Sequence, residues 1–569
     1  LVLDNVLFSK VTDSIKKNLD ALGVNYPEAW KGSLNIALNE TEFGNNFYSN
    51  TPDMEFSMIN ESNTACDYEL LYEFQDEFGQ IVHQQNETLS FKAGENRIHK
   101  TRLSVNRYGV MTMTVTAKGP DNTAVYKKNV ALIKKPEKRN YVMGFCLPQR
   151  VTHYEYYDEI IDLFAEGGFS NLRFGISNAY RPSEGDRLLY YDWEKTVINA
   201  IKKNKLDWNL HISGGRTDWQ DMPRNEETLA QWKRYCTQLA EDMDDGYGGE
   251  VSYEVWNEPN AGSFNPYGTP QDYVNLARAA KEAIKAHNPN SKIMVGSLSG
   301  ISISYMNKII EANGHDTIDC VTLHPYMWMQ GPETGNMFPQ IQNFQKLLDD
   351  NGLGDRPVWW TEIGWYTHVG IPKQAIYTAQ MFLLNEVNGK MADRIQIFDA
   401  TDDDRLPRET FGLINSSIDY EPFMARPAFL AMTNFADIMT DAEYVETISY
   451  DAMQNLYRFK LADGKDALVF WTQDANNQIA LDLGVSEVSV CDLYGNRETQ
   501  SGIDGKYQFD ATIYPQYVIG DFSKLEISEK LFDVSKDAFN VVNHDKADFE
   551  IDNKTDKTVE VSATTSKNI

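Results

Sequence analysis

The sequence predicts a multidomain protein in which a central (β/α)8 TIM barrel is flanked by an N-terminal β-sandwich and a C-terminal β-sandwich. Its 569 residues exceed the size of one ordinary domain. Both ends of the chain alternate apolar and polar residues, which is typical of half-buried strands. The middle of the chain instead alternates short apolar strands with amphipathic helices, the pattern of a barrel.

Residues 1–138 are predicted to form an immunoglobulin-like sandwich followed by a linker. Period-two alternation runs through Tyr68–Phe74 and Met111–Ala117, with turn clusters such as Gly119–Asn122. The charged run Lys134–Asn140, which contains Pro136, predicts the linker. We expect a structural or carbohydrate-contacting role here, because the segment has no His/Cys cluster and no glycine-rich loop.

Residues 139–438 are predicted to form the barrel from eight strand–helix units. The predicted strands are Tyr141–Phe145, Ser170–Phe174, Asp207–Ile212, Val251–Trp256, Ile293–Ser297, Cys320–His324, Val358–Glu362 and Arg394–Phe398. The predicted helices are Tyr154–Ala165, Trp193–Lys203, Glu226–Met243, Pro270–His287, Ile303–Ala312, Phe338–Asp349, Lys373–Val387 and Arg426–Ile438. An open, doubly wound sheet is the alternative, but it lacks a common pocket for the ends of strands four and seven.

Alternation returns after the barrel. Residues 439–522 are predicted to form the second sandwich, with strands such as Ala467–Thr472 and Val488–Gly495. Residues 523–569 alternate again at Asp548–Asn553 and Thr558–Ala563. This last segment is too short for a sandwich of its own, so we expect the start of a further β segment or domain.

The composition narrows the classes of partner. A formal charge of −30, from 83 acidic and 53 basic residues, disfavours nucleic acid and anionic membranes. No apolar run is long enough for a transmembrane helix, and we expect a secreted, periplasmic or cell-surface protein. The five cysteines have no CxxC spacing, so we expect buried small residues and neither a zinc site nor a disulfide framework. The sequence carries no signal for the oligomeric state.

Two glutamates end predicted strands in similar surroundings. Glu258 follows the apolar run that ends at Trp256 and precedes Pro259, which cannot continue a strand interior. Glu362 ends the strand that begins at Val358. Glycoside hydrolysis needs such a pair, one carboxyl kept neutral as a proton donor and one ionised, and retention places them about 5–5.5 Å apart. The alternative is two unrelated strand ends whose glutamates face solvent.

Other strand ends carry candidate sugar-binding residues. Arg173 can support an ionised carboxylate, or it can be a salt-bridge residue of the barrel core. His211 and Asp399 each have a packing or capping alternative, and the two histidines at 211 and 324 lack the spacing of a metal site. We therefore expect neither metal nor cofactor. The candidate substrate-binding residues are Arg173, His211, Asn257, His324, Tyr326, Trp328, Trp365 and Asp399.

The paired motifs resemble those of a known group of enzymes. Trp256–Pro259 resembles the acid/base signature of the retaining glycoside hydrolases of clan A, which are all (β/α)8 barrels, and Trp360–Gly364 looks like their strand-seven nucleophile motif. Arg173, His324 and Tyr326 match their strand-two arginine and strand-six His-x-Tyr. Further likeness to cellulase-like and β-xylosidase-like members lies in Phe411–Ile414 and Arg426–Phe429, and the resemblance covers about residues 140–520.

The resemblance implies roles for four residues. Glu362 would be the nucleophile, Glu258 the acid/base, Asn257 the partner of the sugar 2-hydroxyl, and Tyr326 a donor to Glu362. One departure concerns strand eight, where many members place a tryptophan under the sugar and this chain has Phe398–Ala400.

These observations predict a retaining β-glycoside hydrolase that acts on a polysaccharide or oligosaccharide through a covalent glycosyl-enzyme. The alternative is a non-catalytic glycan-binding protein on a barrel scaffold, which has no need for two strand-end glutamates.

Overall fold

The computed structural model describes residues 34–120, 122–148, 154–176, 180–181, 187–188, 190–213, 222–244, 250–402, 410–449, 454–473, 477–534 and 551–555. Among the helices of these segments, none has the length and apolar character needed to cross a lipid bilayer. The predicted barrel with flanking β-sheets is confirmed.

The N-terminal region consists of two sheets packed face to face, and their strands are antiparallel except for the pair formed by Asn46–Phe47 and Thr123–Leu132. The three-stranded sheet contains, in spatial order, Leu34–Leu38, Asp53–Asn60 and Asn96–Arg102. The five-stranded sheet contains, in spatial order, Asn46–Phe47, Thr123–Leu132, Gly109–Lys118, Cys66–Gln75 and Ile81–Phe91. Phe56 of the first sheet and Tyr72 of the second meet with ring centroids 5.6 Å apart in a shared core, which explains the period-two pattern.

The barrel closes through eight parallel strands. In order they are Asn140–Cys146, Phe169–Phe174, Asp207–Ile212, Val251–Val255, Lys292–Ser299, Cys320–His324, Val358–Ile363 and Arg394–Ile397, and we number them one to eight. Strand eight pairs with strand one, with Ile395 opposite Met143, so the open-sheet alternative is excluded.

Helices follow the barrel strands and cover their outer surface. They are Tyr157–Glu166, Asp192–Asn204, Glu226–Asp244, Pro270–His287, Ile303–Glu311, Met337–Asp350, Ile371–Val387 and Pro427–Met439. The helix Pro270–His287 begins at a well-defined cap. The Thr269 side chain accepts a hydrogen bond from the Asp272 amide, and proline occupies the first helical position. After strand two, Tyr180–Arg181 pairs with Arg187–Leu188.

The C-terminal region is a second sandwich that packs against the barrel. Its six-stranded sheet contains, in spatial order, Glu443–Thr447, Gln454–Lys460, Asp466–Thr472, Gln516–Gly520, Glu487–Cys491 and Arg497–Ser501. Its three-stranded sheet contains Lys506–Ala511, Asn477–Asp482 and Glu526–Ile527, so pairing includes residues beyond 522. A separate pair joins Phe532–Val534 and Ile551–Asn553, while Thr558–Ala563 lies outside the described residues.

The strand Asp466–Thr472 is buried along its whole length because both of its faces are covered. Leu468 and Phe470 point into the sandwich core, where Phe470 meets Phe509 with ring centroids 5.9 Å apart. Val469 and Trp471 point the other way and join the barrel core. When both faces of a strand are covered, its residues form a nearly continuous apolar run, and Ala467–Trp471 is such a run.

Both sandwiches hold loops at the C-terminal rim of the barrel. Asn46 of the N-terminal sandwich donates from Nδ2 to the Phe423 carbonyl (2.9 Å) and accepts from the Ala425 amide (2.7 Å). From the other side, the Trp471 indole N–H donates to Glu333 Oε2 (2.9 Å) in the loop after strand six. The loops after strands six and eight are therefore fixed by the flanking domains.

Strand five contains a bulge that redirects its end. The pairing with strand six shifts between Val295 and Leu298, and Gly296 has φ 130°. A Cβ at Gly296 would lie 2.4 Å from the Thr322 carbonyl oxygen, closer than any side chain tolerates. The bulge brings Ser297 next to His324, with Oγ 3.3 Å from Nε2.

We predict that Gly296→Ala lowers the free energy of unfolding by at least about 1–3 kcal/mol, the cost of a strained backbone conformation. The added methyl must also displace strand six, so activity should fall with stability. Urea unfolding measures the first effect. Gly262→Ala is the matched control, since no atom lies within 4 Å of a Cβ there. Equal stability of the two variants would contradict the bulge constraint.

Candidate active site

The two glutamates predicted from the sequence lie together at the C-terminal end of the barrel. One carboxylate oxygen of Glu258, one of Glu362 and one ring nitrogen of His324 lie within 4.8 Å of one another. The Glu258 and Glu362 side chains are 14% and 12% exposed, so both are sheltered yet reachable from solvent. This separation is compatible with the short spacing that retention requires.

Arg173, at the end of strand two, joins three side chains of the site. Its Nε donates to Glu254 Oε2 (2.5 Å), and its guanidinium also donates to Glu362 Oε1 (2.5 Å) and to Asn257 Oδ1 (3.0 Å). Burial lowers the pKa of Arg173, but Glu254 and Glu362 raise it above the ordinary value. The guanidinium is therefore both a salt-bridge residue of the barrel core and a contact of the site.

Glu254 is a fully buried counter-charge beneath the site. Its Oε1 accepts from the Thr361 hydroxyl (2.6 Å), and Asn209 Nδ2 lies 3.4 Å from Oε2. Burial raises the pKa of Glu254, but Arg173 and the nearby donors lower it to about 2. The side chain is thus ionised at neutral pH and keeps Arg173 in place.

A chain of amides continues this polar layer across the barrel interior. Asn209 Nδ2 donates to Gln396 Oε1 (2.8 Å), Gln396 Nε2 donates to Asn171 Oδ1 (3.0 Å), and Asn171 Nδ2 donates to the Met143 carbonyl (2.9 Å). Each of these amides makes at least one hydrogen bond within the layer, although Asn209 Oδ1 is buried without a partner. The layer supports Glu254 from below.

His324 and Tyr326, on and just after strand six, contact the two glutamates. His324 is fully buried, its Nδ1 lies 3.0 Å from Glu258 Oε1, and its Nε2 faces Ser297. The Tyr326 hydroxyl donates to Glu362 Oε2 (3.0 Å). Burial, followed by the charge of Glu362, raises the pKa of Tyr326 well above its ordinary value, so this phenol stays a donor.

His211 lies on strand three beside these groups. Burial and the neighbouring Arg173 lower its pKa to about 3, so the ring is neutral near pH 7. Its Nε2 is buried without a hydrogen-bond partner in the protein. The side chain can therefore offer one ring nitrogen to a bound molecule.

The two tryptophan candidates, Trp328 and Trp365, differ in their exposure to solvent. Trp328 is 58% exposed and stacks on Tyr326 with ring centroids 5.4 Å apart, so it presents a ring at the rim. Trp365 is placed differently from the prediction: it is 1% exposed and its indole N–H donates to the Gln330 carbonyl (2.8 Å). Since its ring packs against Tyr377, Trp365 supports the loop and presents no face to a sugar.

Strand eight ends in the segment that replaces the expected tryptophan. Phe398 and Phe411 both pack edge-on near the Tyr326 ring, with centroids 6.2 and 5.9 Å away. Asp399 is 5% exposed, and its Oδ1 accepts from the Ala400 amide (2.7 Å). The peptide bond between Phe398 and Asp399 is cis.

Glu258, His324 and Glu362 are also the one set of acidic, histidine or cysteine side chains, among the residues described, spaced closely enough to hold a metal ion. Arg173 already places a fixed positive charge on Glu362, which disfavours a cation there. A metal-free site remains our prediction.

The five cysteines are unpaired, and four of them are buried while Cys66 is half-buried.

Two residues of the site were missed by sequence reasoning. Glu254 is the one charged residue of the buried strand Val251–Val255, and that lone charge was the available signal. Ser297 carried no signal, because its position depends on the bulge at Gly296.

Comparison with known proteins gives one family match. Residues 139–389 match the family described as cellulase (glycosyl hydrolase family 5). No curated protein matches the chain significantly.

Solved structures share the architecture. A family 39 glycoside hydrolase from the gut symbiont Bacteroides cellulosilyticus WH2 superposes with a TM-score of 0.69 at 20% identity, covering 85% of this chain and 100% of its own. A family 39 enzyme from Xanthomonas axonopodis pv. citri gives 0.50 at 14% identity, with 70% and 96% covered. At these identities the likeness shows the fold alone.

We predict that Glu254→Gln lowers the free energy of unfolding at pH 7 by about 3 kcal/mol, from the shift between its ordinary pKa of 4.5 and about 2. Because the folded pKa is lowered, this stabilisation is complete above about pH 4.5. It is lost as the pH falls toward 2. Urea unfolding of parent and variant at a series of pH values measures the difference.

Glu386→Gln is the opposite-sign control for that experiment. Burial raises the pKa of Glu386, so its ionised form is the less stable one in the folded protein. This variant should lose no stability at pH 7. A pH-independent difference between the parent and Glu254→Gln would contradict the assignment of Glu254.

Proposed function

We propose that the protein is a retaining β-glycosidase of clan A, in which Glu362 is the nucleophile and Glu258 the acid/base; the match of residues 139–389 to a glycoside hydrolase family supports this proposal. The observation that carries the proposal is the pair of carboxylates whose nearest atoms, together with His324, lie within 4.8 Å. A glycan-binding protein without activity would not need this pair, and the family match favours the enzyme.

In the first step, Glu362 attacks the anomeric carbon of the sugar while Glu258 gives its proton to the glycosidic oxygen. The bond between that carbon and oxygen breaks, and the leaving group departs with its proton. The product is a covalent ester between the sugar and Glu362. Arg173 and Tyr326, which donate to the two oxygens of Glu362, orient this carboxylate for attack.

In the second step, Glu258 takes a proton from water, which attacks the anomeric carbon and releases Glu362. Two inversions leave the configuration of the sugar unchanged. His324 lies within reach of Glu258 and holds it between the leaving group and the incoming water.

Asn257 is suited to bind a sugar hydroxyl next to the reacting carbon. Its Oδ1 accepts from Arg173, which leaves the amide NH2 to donate to a ligand. Donation to the 2-hydroxyl is the role that the resemblance implies. His211, with one unpartnered ring nitrogen, supplies a second polar contact of the same pocket.

We infer a neutral glycan as substrate. When Glu258 carries the proton that it donates, Glu254 and Glu362 still provide two negative charges against the one positive charge of Arg173, so an anionic sugar would meet net repulsion. Trp328 offers an exposed ring on which the apolar face of a sugar can stack. Because structural polysaccharides lie outside the cytoplasm, we place the protein there, as a secreted, periplasmic or cell-surface enzyme of polysaccharide or oligosaccharide degradation.

We predict that Glu362→Ala and Glu258→Ala each lower kcat on an activated aryl β-glycoside by several orders of magnitude. Azide distinguishes the nucleophile from the acid/base, because it can occupy the space of the missing carboxylate and attack the anomeric carbon. With Glu362→Ala it should give a glycosyl azide of inverted configuration, and with Glu258→Ala one of retained configuration. Product configuration is read by proton NMR.

Glu311→Ala is the control for these variants, since Glu311 is an exposed glutamate at the end of the helix Ile303–Glu311. It should keep the parent rate. Near-parent turnover by either catalytic variant, or azide products of the opposite configurations, would overturn the assignment.

We predict that Tyr326→Phe lowers kcat/KM by roughly 10–150-fold, because a hydrogen bond to a charged group contributes about 1.5–3 kcal/mol. The ring remains and still supports Trp328, so the thermal midpoint should change little. Tyr444→Phe removes a hydroxyl that bonds Thr447 in the C-terminal sheet and should leave kcat/KM unchanged. Equal rates for the two variants would remove Tyr326 from the mechanism.

A further inference from the structure

A cleft lies between the N-terminal and C-terminal sandwiches, outside the barrel. It encloses about 350 Å³, a volume within the range of small-ligand sites. One wall comes from the turn 76–78 and residues 107–110 of the N-terminal sandwich. The other wall comes from residues within 490–498 and 512–516 of the C-terminal sandwich. The two domains thus build one concave surface that the catalytic residues do not use.

Hydrogen bonds between the two sandwiches hold the cleft in shape. The Tyr494 hydroxyl donates to Glu77 Oε1 (2.9 Å) across the junction. The Asn496 side chain accepts from the Tyr108 amide (2.7 Å) and donates to the Tyr108 carbonyl (3.0 Å). Because its walls are joined in this way, the cleft is formed before any ligand arrives, which lowers the entropic cost of binding.

Aromatic rings line the cleft. Phe78 and Tyr514 stand nearly perpendicular, at 78°, with centroids 6.4 Å apart, so they form a corner. Phe78 is 53% exposed, although a phenylalanine on a turn gains nothing from facing water. Tyr108 and Tyr494 complete the aromatic lining. Rings with an apolar face and a nearby polar edge are suited to sugars, whose C–H faces stack while their hydroxyls form hydrogen bonds.

The charged side chains that line the cleft favour a neutral ligand over an anionic one. The lining contains four carboxylates and one guanidinium, that of Arg107; the carboxylates belong to Asp76, Glu77, Asp492 and Glu498. This excess disfavours phosphates, nucleic acid and uronic acids. Carboxylates accept hydrogen bonds from neutral hydroxyls, and Thr512 and Gln516 add further polar groups.

We propose that this cleft is an accessory binding site for a neutral glycan chain. It holds a sugar segment by stacking on Phe78 and Tyr514 and keeps the enzyme on a polymeric substrate. The proposal takes its substrate class from the proposed glycosidase function, and its site from the lining of the cleft.

The test uses the full chain carrying Glu362→Ala, so that no probe is degraded. Native gels containing arabinoxylan, mixed-linkage β-glucan, galactomannan or polygalacturonate report binding as retarded migration. We expect retardation by at least one of the three neutral polysaccharides and none by polygalacturonate. Adding Phe78→Ala or Tyr514→Ala should weaken retardation at least several-fold. Ile98→Ala, which removes a 60% exposed side chain elsewhere on the N-terminal sandwich, should leave it unchanged.

A second readout separates the cleft from the active site. In the otherwise unaltered protein, Phe78→Ala should leave kcat/KM on an aryl glycoside unchanged and lower the rate on the retarding polysaccharide. The proposal is overturned if no neutral polysaccharide retards the protein, if both cleft variants migrate like the parent, or if polygalacturonate binds best. A catalytic failure would instead appear as aryl glycosides that the parent does not cleave.

Discussion

The site depends on one buried cation, the guanidinium of Arg173. A charge inside a barrel is costly unless it is paired and hydrogen-bonded, and Glu254 provides that pairing in a fully buried position. With its Nε committed to Glu254, Arg173 extends its other nitrogens to Glu362 and Asn257. One structural ion pair thereby sets the geometry of the proposed nucleophile and of a sugar-binding amide.

The flanking domains contribute to the same geometry from outside. The loop after strand eight carries Phe411, which packs near Tyr326, and Asn46 of the N-terminal sandwich binds that loop at Phe423 and Ala425. The loop after strand six is bound by Trp471 of the C-terminal sheet. The rim is therefore built by three domains, and each sandwich is joined to a rim loop by side-chain hydrogen bonds.

Local patterns were sufficient for most of the architecture and for the catalytic pair. Strands such as Cys320–His324 and helices such as Pro270–His287 were predicted to the residue, because periodicity and capping are local properties. Trp365 was predicted as a sugar contact and is buried, since an aromatic residue after a strand end suits packing and binding equally. Glu254 could not be assigned from the sequence, because its partners Arg173 and Thr361 lie far away in the chain.

The sequence by itself determined the eight-unit barrel, the strand-end positions of Glu258 and Glu362, and the strongly negative net charge, because all three follow from residue type and spacing along one chain. Only the tertiary structure decided that Arg173 binds Glu254 and Glu362 together, that Ser297 reaches His324, and that two sandwiches enclose a cleft. Those contacts join residues far apart in the chain, and local periodicity holds no information about which distant side chains meet.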